Sequence, residues 1–257
     1  MNNHLDHFLK DYNNKQLLKV ISGITNLNVQ NIRNIIEAAE LSNASYIDIA
    51  ADKNIISHAK QITNLPICVS VIDHSKVKEC IYAGADLIEI GNFNFLYQKE
   101  FLVSCKDILH LCDKIRNMIP DINLCVTIPH FFSLQQQVKL AIMLEELGID
   151  MLQTEGYPIN HTNNINKTLT HITQTLSSTY ALSQYVNIPI ITASSLSYLT
   201  IPIAQQYGAS GIGIGTALYK LNNINAMISY IEDIELNFNQ QIYFDFHKLN
   251  HLHPILF

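Results

Sequence analysis

Apolar and polar positions follow two recurring patterns along the chain. In the first, an amphipathic stretch ends in Gly or Asn, a small or polar residue follows, and a short apolar run begins. "NASYIDIA" (Asn43 to Ala50), "GADLIEIG" (Gly84 to Gly91), "GIDMLQTEG" (Gly148 to Gly156) and "GASGIGIG" (Gly208 to Gly215) all have this form. It predicts a helix closed by a left-handed residue and leading straight into a buried strand. In the second pattern a proline stands beside the entrance of the apolar run, as in "LPICVSV" (Leu65 to Val71), "PDINLCVTIP" (Pro120 to Pro129) and "IPIITAS" (Ile188 to Ser194). A missing ladder donor costs least at that place. The two patterns alternate, and with "LLKVIS" (Leu17 to Ser22) in front they give about eight short strands. Val29 to Leu41, Ser133 to Leu147 and Asn166 to Tyr185 have helical length and spacing.

Short strands covered on both faces and joined by helices form a parallel sheet, and this number closes into an α/β fold of the (β/α)8 barrel type. A doubly wound open sheet is the competing expectation. Against it, the glycines of "SGIGIGTAL" (Ser210 to Leu218) follow G-x-G-x-G rather than the dinucleotide fingerprint, and they stand at the last strand rather than after the first. A length of 257 residues fits one such barrel. The division expected is a lead-in over 1–16, a barrel domain over 17–234 and a C-terminal extension over 235–257.

Composition narrows the partners. Charged residues make up 15% and the net charge is −6, with no Lys/Arg cluster, so neither nucleic acid nor a membrane surface is an expected partner. No apolar run approaches the roughly 20 residues that span a bilayer, so the chain is expected to be soluble. The five cysteines contain no CxxC and are odd in number, which predicts reduced thiols. The first residues, "MNNHLDHFLKDYNNKQ", have no apolar h-region and little positive charge, and read as neither a secretory signal nor a transit peptide. His247, His251 and His253 in the aromatic tail lack cysteine or carboxylate partners at a ligand spacing, so no metal is expected. The tail is expected to pack on the barrel or on a neighbouring subunit of a homo-oligomer.

Active sites of barrels lie where the strands end, so polar residues there are the candidates. They are Lys19, Asp48, Ser70, Glu89, Thr127, Gln153, Glu155 and Thr192. Charges buried in otherwise apolar strands must be paired or face a polar mouth. Lys19, Asp48 and Glu89 fall on the first, second and fourth strands and can share one network. A desolvated lysine serves as an imine nucleophile or an electrophile, and paired carboxylates divide acid and base roles; an ion-pair layer that only fills the barrel is the alternative. His130, in "TIPH", is a candidate acid or base or simply a solvated loop residue. Glu155 is a third carboxylate or a cap, and Asn92 a ligand-orienting or turn residue.

The strands ending in "ITASSLS" and "GIGIGTAL" each run toward a helix, where barrels bind phosphate through backbone N–H groups and a helix N-terminus. Ser194, Ser195 and Thr216 would add hydroxyls, while Gly213 and Gly215 would let the backbone approach the oxygens. Gly211 reads as packing. Relief of crowding by all three glycines is the competing account.

With these segments the chain resembles the ribulose-phosphate-binding barrel superfamily. Through "LLKVISGI", "YIDIAAD", "LPICVSV", "GADLIEIGNF", "LCVTIPH", "LQTEG" and "GASGIGIGTAL" it further resembles the plastid family known as hypothetical chloroplast reading frame twenty-three. The superfamily likeness implies phosphate loops at Ser194, Ser195, Gly213, Gly215 and Thr216. The family likeness implies a barrel and a location in the chloroplast stroma, and brings no catalytic residues with it. A fainter likeness to pyridoxal-phosphate and thiazole-phosphate synthase barrels lies in "LQTEG", but Glu155 stands in that segment and Lys19 is the lone lysine of a predicted strand, which weighs against imine chemistry. Two functions follow as expectations. One is an enzyme acting on a small phosphorylated metabolite as an isomerase, epimerase or lyase/synthase, with Lys19, Asp48, Glu89, His130 and Glu155 at the reacting end. The other is a non-catalytic phosphometabolite sensor or assembly protein. No cofactor is named by either.

Overall fold

The structure, a computed structural model, describes residues 3–91, 103–156, 165–194, 196–198, 200–221 and 223–239. Helix α1 (Asn3–Asn14) precedes β1 (Leu17–Ile21), and then strands and helices alternate. They run α2 (Val29–Leu41), β2 (Tyr46–Ala50), α3 (Lys53–Ile62), β3 (Ile67–Val71), α4 (Val77–Ala83), β4 (Leu87–Ile90), α5 (Cys105–Met118) and β5 (Asn123–Ile128). There follow α6 (Leu134–Glu146), β6 (Met151–Thr154), α7 (Ile165–Ser183), β7 (Ile190–Ala193), α8 (Ile201–Gln206), β8 (Gly211–Ile214) and α9 (Ile224–Asn239). Every strand pairs in parallel with its sequence neighbour, and β8 returns to β1, closing an eight-stranded barrel.

The repeat read from the sequence has a geometric cause. Asn43, Gly84, Gly148 and Gly208 all have positive φ, from 52° to 114°, and each turns the chain from a helix into the next strand. The helix starts are equally explicit. Asp52 accepts from the backbone N–H of Asn54 and Ile55 at 2.9 and 3.1 Å, and Ser104 with Asp107 and Ser133 with Gln136 form capping boxes.

Along each strand, alternate side chains face the helices and the barrel interior. The outward set, including Val20, Ile47, Val69, Ile88, Val126, Leu152 and Ile212, is buried beneath the helical layer. The inward set near the strand entrances is a separate apolar layer of Leu17, Tyr46, Cys68, Leu87, Cys125, Met151 and Ile191. Phe8 of α1 completes it, 2% exposed, with its ring edge-on to Tyr46 at 5.5 Å. The segment read from sequence as a lead-in therefore carries a helix that closes the lower end of the barrel.

All five cysteines are free thiols. Among the described residues no helix is long and apolar enough to cross a membrane. Helix α9 runs through residue 234 to Asn239; His247, His251 and His253 of the tail lie outside the described residues.

Candidate active site

One step above the apolar layer, the inward positions change character. β1 to β6 present Lys19, Asp48, Ser70, Glu89, Thr127 and Gln153, whereas β7 and β8 present Ala193 and Gly213. All six polar residues are buried, with Lys19 fully so. The Lys19 ammonium donates to Asp48 Oδ2 at 2.9 Å, to Gln153 Oε1 at 2.9 Å and to Glu89 Oε2. Its three protons thus have three acceptors. Glu89 Oε1 accepts from Thr127 Oγ1 and Gln153 Nε2, each at 2.9 Å, and Ser70 Oγ donates to Asp48 at 3.2 Å. Gly91 makes room for this arrangement, since a Cβ there would stand 2.4 Å from Thr127 Oγ1.

Electrostatics follow from the geometry. Burial alone would push the Lys19 amine down, but Asp48 and Glu89 more than offset it and hold the group well above the ordinary lysine value, as an ammonium. Burial lifts the Asp48 carboxyl from 3.8 to about 6 against the opposing pull of Lys19, with Glu89 adding to the rise. Asp48, Cys68 and Glu89 offer ligand atoms within 4.8 Å of one another. The Lys19 ammonium already bridges the two carboxylates, and burial raises the Cys68 thiol, so this donor set fits the lysine it holds rather than a metal ion.

A second pair stands at the same mouth. His130 Nδ1 lies 3.0 Å from Glu155 Oε1, which also accepts from the His130 backbone N–H at 3.3 Å, and both side chains are about nine-tenths buried. Glu155 follows β6, four strands from β2 in the eight-stranded ring, so Asp48 and Glu155 occupy opposite walls.

Between the walls is a cleft of about 510 Å³. Asp48, Ser70, Glu89, Thr127 and Gln153 form its floor, and Glu155 at the end of β6, Ser194 after β7, and Gly213, Gly215 and Thr216 at the end of β8 line its wall. The glycines of β8 stand where the barrel is tightly packed. A Cβ on Gly213 would stand 2.9 Å from Ala193 Cβ, and one on Gly215 3.1 Å from Ile21 Cβ, so neither position has room for a side chain. A Cβ on Gly211 would meet the Leu17 carbonyl at 2.8 Å, the packing role expected of it. Crowding accounts for all three positions, and Gly213 and Gly215 line the cleft as well.

The structure corrects several sequence expectations. Thr192 is not part of the ring: β7 turns Ile191 and Ala193 inward, so Thr192 faces outward and bonds Thr179 Oγ1 at 2.9 Å. Lys19 lies beneath the floor rather than on it, shielded by its three partners. Glu155 is tied to His130 across to the end of β5. No long helix starts at either phosphate loop, because α8 is a six-residue helix beginning only at Ile201, and Gly215 leads into a 3₁₀ turn, Leu218–Lys220. Any anion held there relies on backbone N–H groups and side chains. Ser195 and Asn92 lie outside the described residues.

Sequence reading missed two lining residues, Lys220 and Tyr230. Lys220 is the one Lys or Arg between residues 168 and 247, a signal present in the sequence once the 3₁₀ turn after β8 is known. Tyr230 on α9 reaches the cleft from a helix whose pattern marks only its core face.

Comparison with known proteins agrees with this architecture. The chain is 43% identical over 242 residues to "Uncharacterized protein ycf23" of Cyanophora paradoxa, covering 93% of this chain and 98% of that one. It is 40% identical over 227 residues to the protein of that name from Pyropia yezoensis, covering 88% and 83%. Relatives of this name are plastid-encoded. Among solved structures, (S)-3-O-geranylgeranylglyceryl phosphate synthase from Thermoplasma acidophilum, in complex with substrate sn-glycerol-1-phosphate, shares the fold with a TM-score of 0.60 at 14% identity, over 91% of this chain and 97% of that one. With residues 1–244 matched, the chain belongs to the family described as Protein of unknown function (DUF561).

Proposed function

We propose that the chain is an enzyme of small phosphorylated metabolites that moves a proton beside a carbonyl group, as an isomerase, an epimerase or a carbon–carbon lyase or synthase does. The observation that carries this reading is one cleft that joins carboxylates on its floor to Ser194 after β7 and to Gly213, Gly215 and Thr216 at the end of β8. In this reading the phosphate contacts the backbone and hydroxyls at Ser194, Ser195, Gly213, Gly215 and Thr216. The carbon skeleton reaches down to Asp48 and Glu89.

An acid–base group works best with a pKa near the working pH, and Asp48 at about 6 suits both taking and returning a proton. Lys19 acts through Asp48, Glu89 and Gln153, so it is a positioning residue. Imine chemistry is disfavoured, since it needs a free amine and Lys19 is held as an ammonium with every proton bonded. The His130–Glu155 pair supplies a second acid–base station on the opposite wall. The sn-glycerol-1-phosphate held by a barrel of the same fold supports a phosphorylated ligand by analogy of fold. The location proposed for this function is the chloroplast stroma, following the plastid relatives.

A thermal-shift screen of phosphorylated ketoses, aldoses and glycerol phosphates tests the binding half. A ligand at 100 times its Kd stabilises the native state by about 2.7 kcal/mol. The same ligand should fail to stabilise Thr216→Glu, which adds a negative charge at an exposed position, and should still stabilise Asp48→Asn. No stabilisation of the wild type by any phosphorylated compound would sink the proposal, and a ligand that binds without being consumed would turn it toward a sensor.

A further inference from the structure

The cleft is electrically lopsided. Three carboxylates line it, Asp48 and Glu89 on the floor and Glu155 on the β6 side. Among the described lining residues there is one cation, Lys220, in the turn that follows β8. The Lys19 charge is already matched by Asp48 and Glu89 within its own buried network. An anionic group entering the cleft is therefore repelled from its floor and attracted to one end.

Lys220 lies at that end, five residues beyond Gly215, with Thr216 and Ala217 between them on the same wall. Tyr230 of α9 lines the same cleft, and burial raises its hydroxyl above the ordinary tyrosine value, which keeps it a neutral donor. A flexible ammonium, a phenol and backbone free of Cβ atoms at Gly213 and Gly215 together match a compact tetrahedral oxyanion.

We propose that Lys220 is the anion anchor of the cleft, selecting metabolites with a terminal phosphate and fixing their direction, phosphate toward β8 and reacting carbons toward Asp48. This inference rests on the phosphorylated-substrate reading and adds to it the residue that sets polarity. It also limits the substrate: a compound with a second anionic group at the reacting end would face Asp48 and Glu89, so a single phosphate on an otherwise uncharged hydroxylated chain fits best.

The test uses the full chain and inorganic phosphate as probe, with the dissociation constant measured by calorimetry at constant ionic strength. Removing an ammonium that makes a charge-assisted hydrogen bond to phosphate should weaken binding roughly tenfold in Lys220→Met. Lys220→Arg, which keeps the charge, should stay within a few-fold of wild type. Lys139→Met, at an exposed lysine of α6, should leave binding unchanged. Equal phosphate affinity in wild type and Lys220→Met, with Thr216→Glu still abolishing binding, would overturn the anchor and leave the phosphate reading standing. Equal weakening by Lys139→Met would overturn it too, as a general effect of net charge. Failure of the wild type and of Asp48→Asn to bind phosphate or glycerol phosphate would bring down both.

Discussion

Lys19 has no solvent exposure and still carries a full charge, because Asp48, Glu89 and Gln153 surround its ammonium. Removing one partner of such a buried group typically costs about 3–5 kcal/mol, since the charge left behind is uncompensated. The pH dependence of stability reports on the same residues. Asp48 has a folded pKa of about 6 against 3.8 for an ordinary carboxyl, so between those values the folded protein binds more protons here than the unfolded chain does. Its contribution is complete below pH 4, is lost as pH rises through about 6, and is level above that. Urea unfolding of wild type and Asp48→Asn should show the difference between the two falling by up to about 3 kcal/mol from pH 4 to pH 7. A difference independent of pH across that range would mean that Asp48 ionises as it does in the unfolded chain.

At the scale of elements, β7 and β8 have a role distinct from the other strands. β1 to β6 present polar side chains to the mouth, while β7 and β8 present Ala193, Gly213 and Gly215, where the backbone itself borders the cleft. Helix α1 plays the opposite part below. Phe8→Ala should cost about 3–5 kcal/mol in urea, the usual loss for a buried aromatic, while phosphate binding at the far end of the barrel stays unchanged. A Phe8→Ala protein of wild-type stability would show that α1 does not close the barrel. Much at this scale was legible. Gly and Asn at helix ends mark left-handed turns because few other residues adopt them, and the strands that follow are short and uniformly apolar. What escaped reading depends on phase or on distance. Thr192 could be assigned to a face only once the inward register of β7 was known. Phe8 sits in an ordinary amphipathic helix, and nothing local says that its partner is Tyr46.

At the scale of the whole molecule, barrel closure brings Lys19, Asp48 and Glu89 together and faces Asp48 with Glu155 across the cleft. The charged residues of the site could be read in the sequence because charge is rare in buried strands. Lys220 and Tyr230 could not, since an exposed lysine and a half-buried tyrosine are common everywhere and gain meaning only from the cavity they border. The function proposed for this cleft is to move a proton of a phosphorylated substrate. Its most direct test is to incubate the phosphorylated compounds that stabilise the protein in D₂O and follow their C–H signals by proton NMR. The wild type should replace a hydrogen next to a carbonyl with deuterium, and Asp48→Asn should slow this by about 100-fold or more. A ligand that binds the wild type and keeps every C–H, or an exchange rate indifferent to Asp48→Asn, would contradict it.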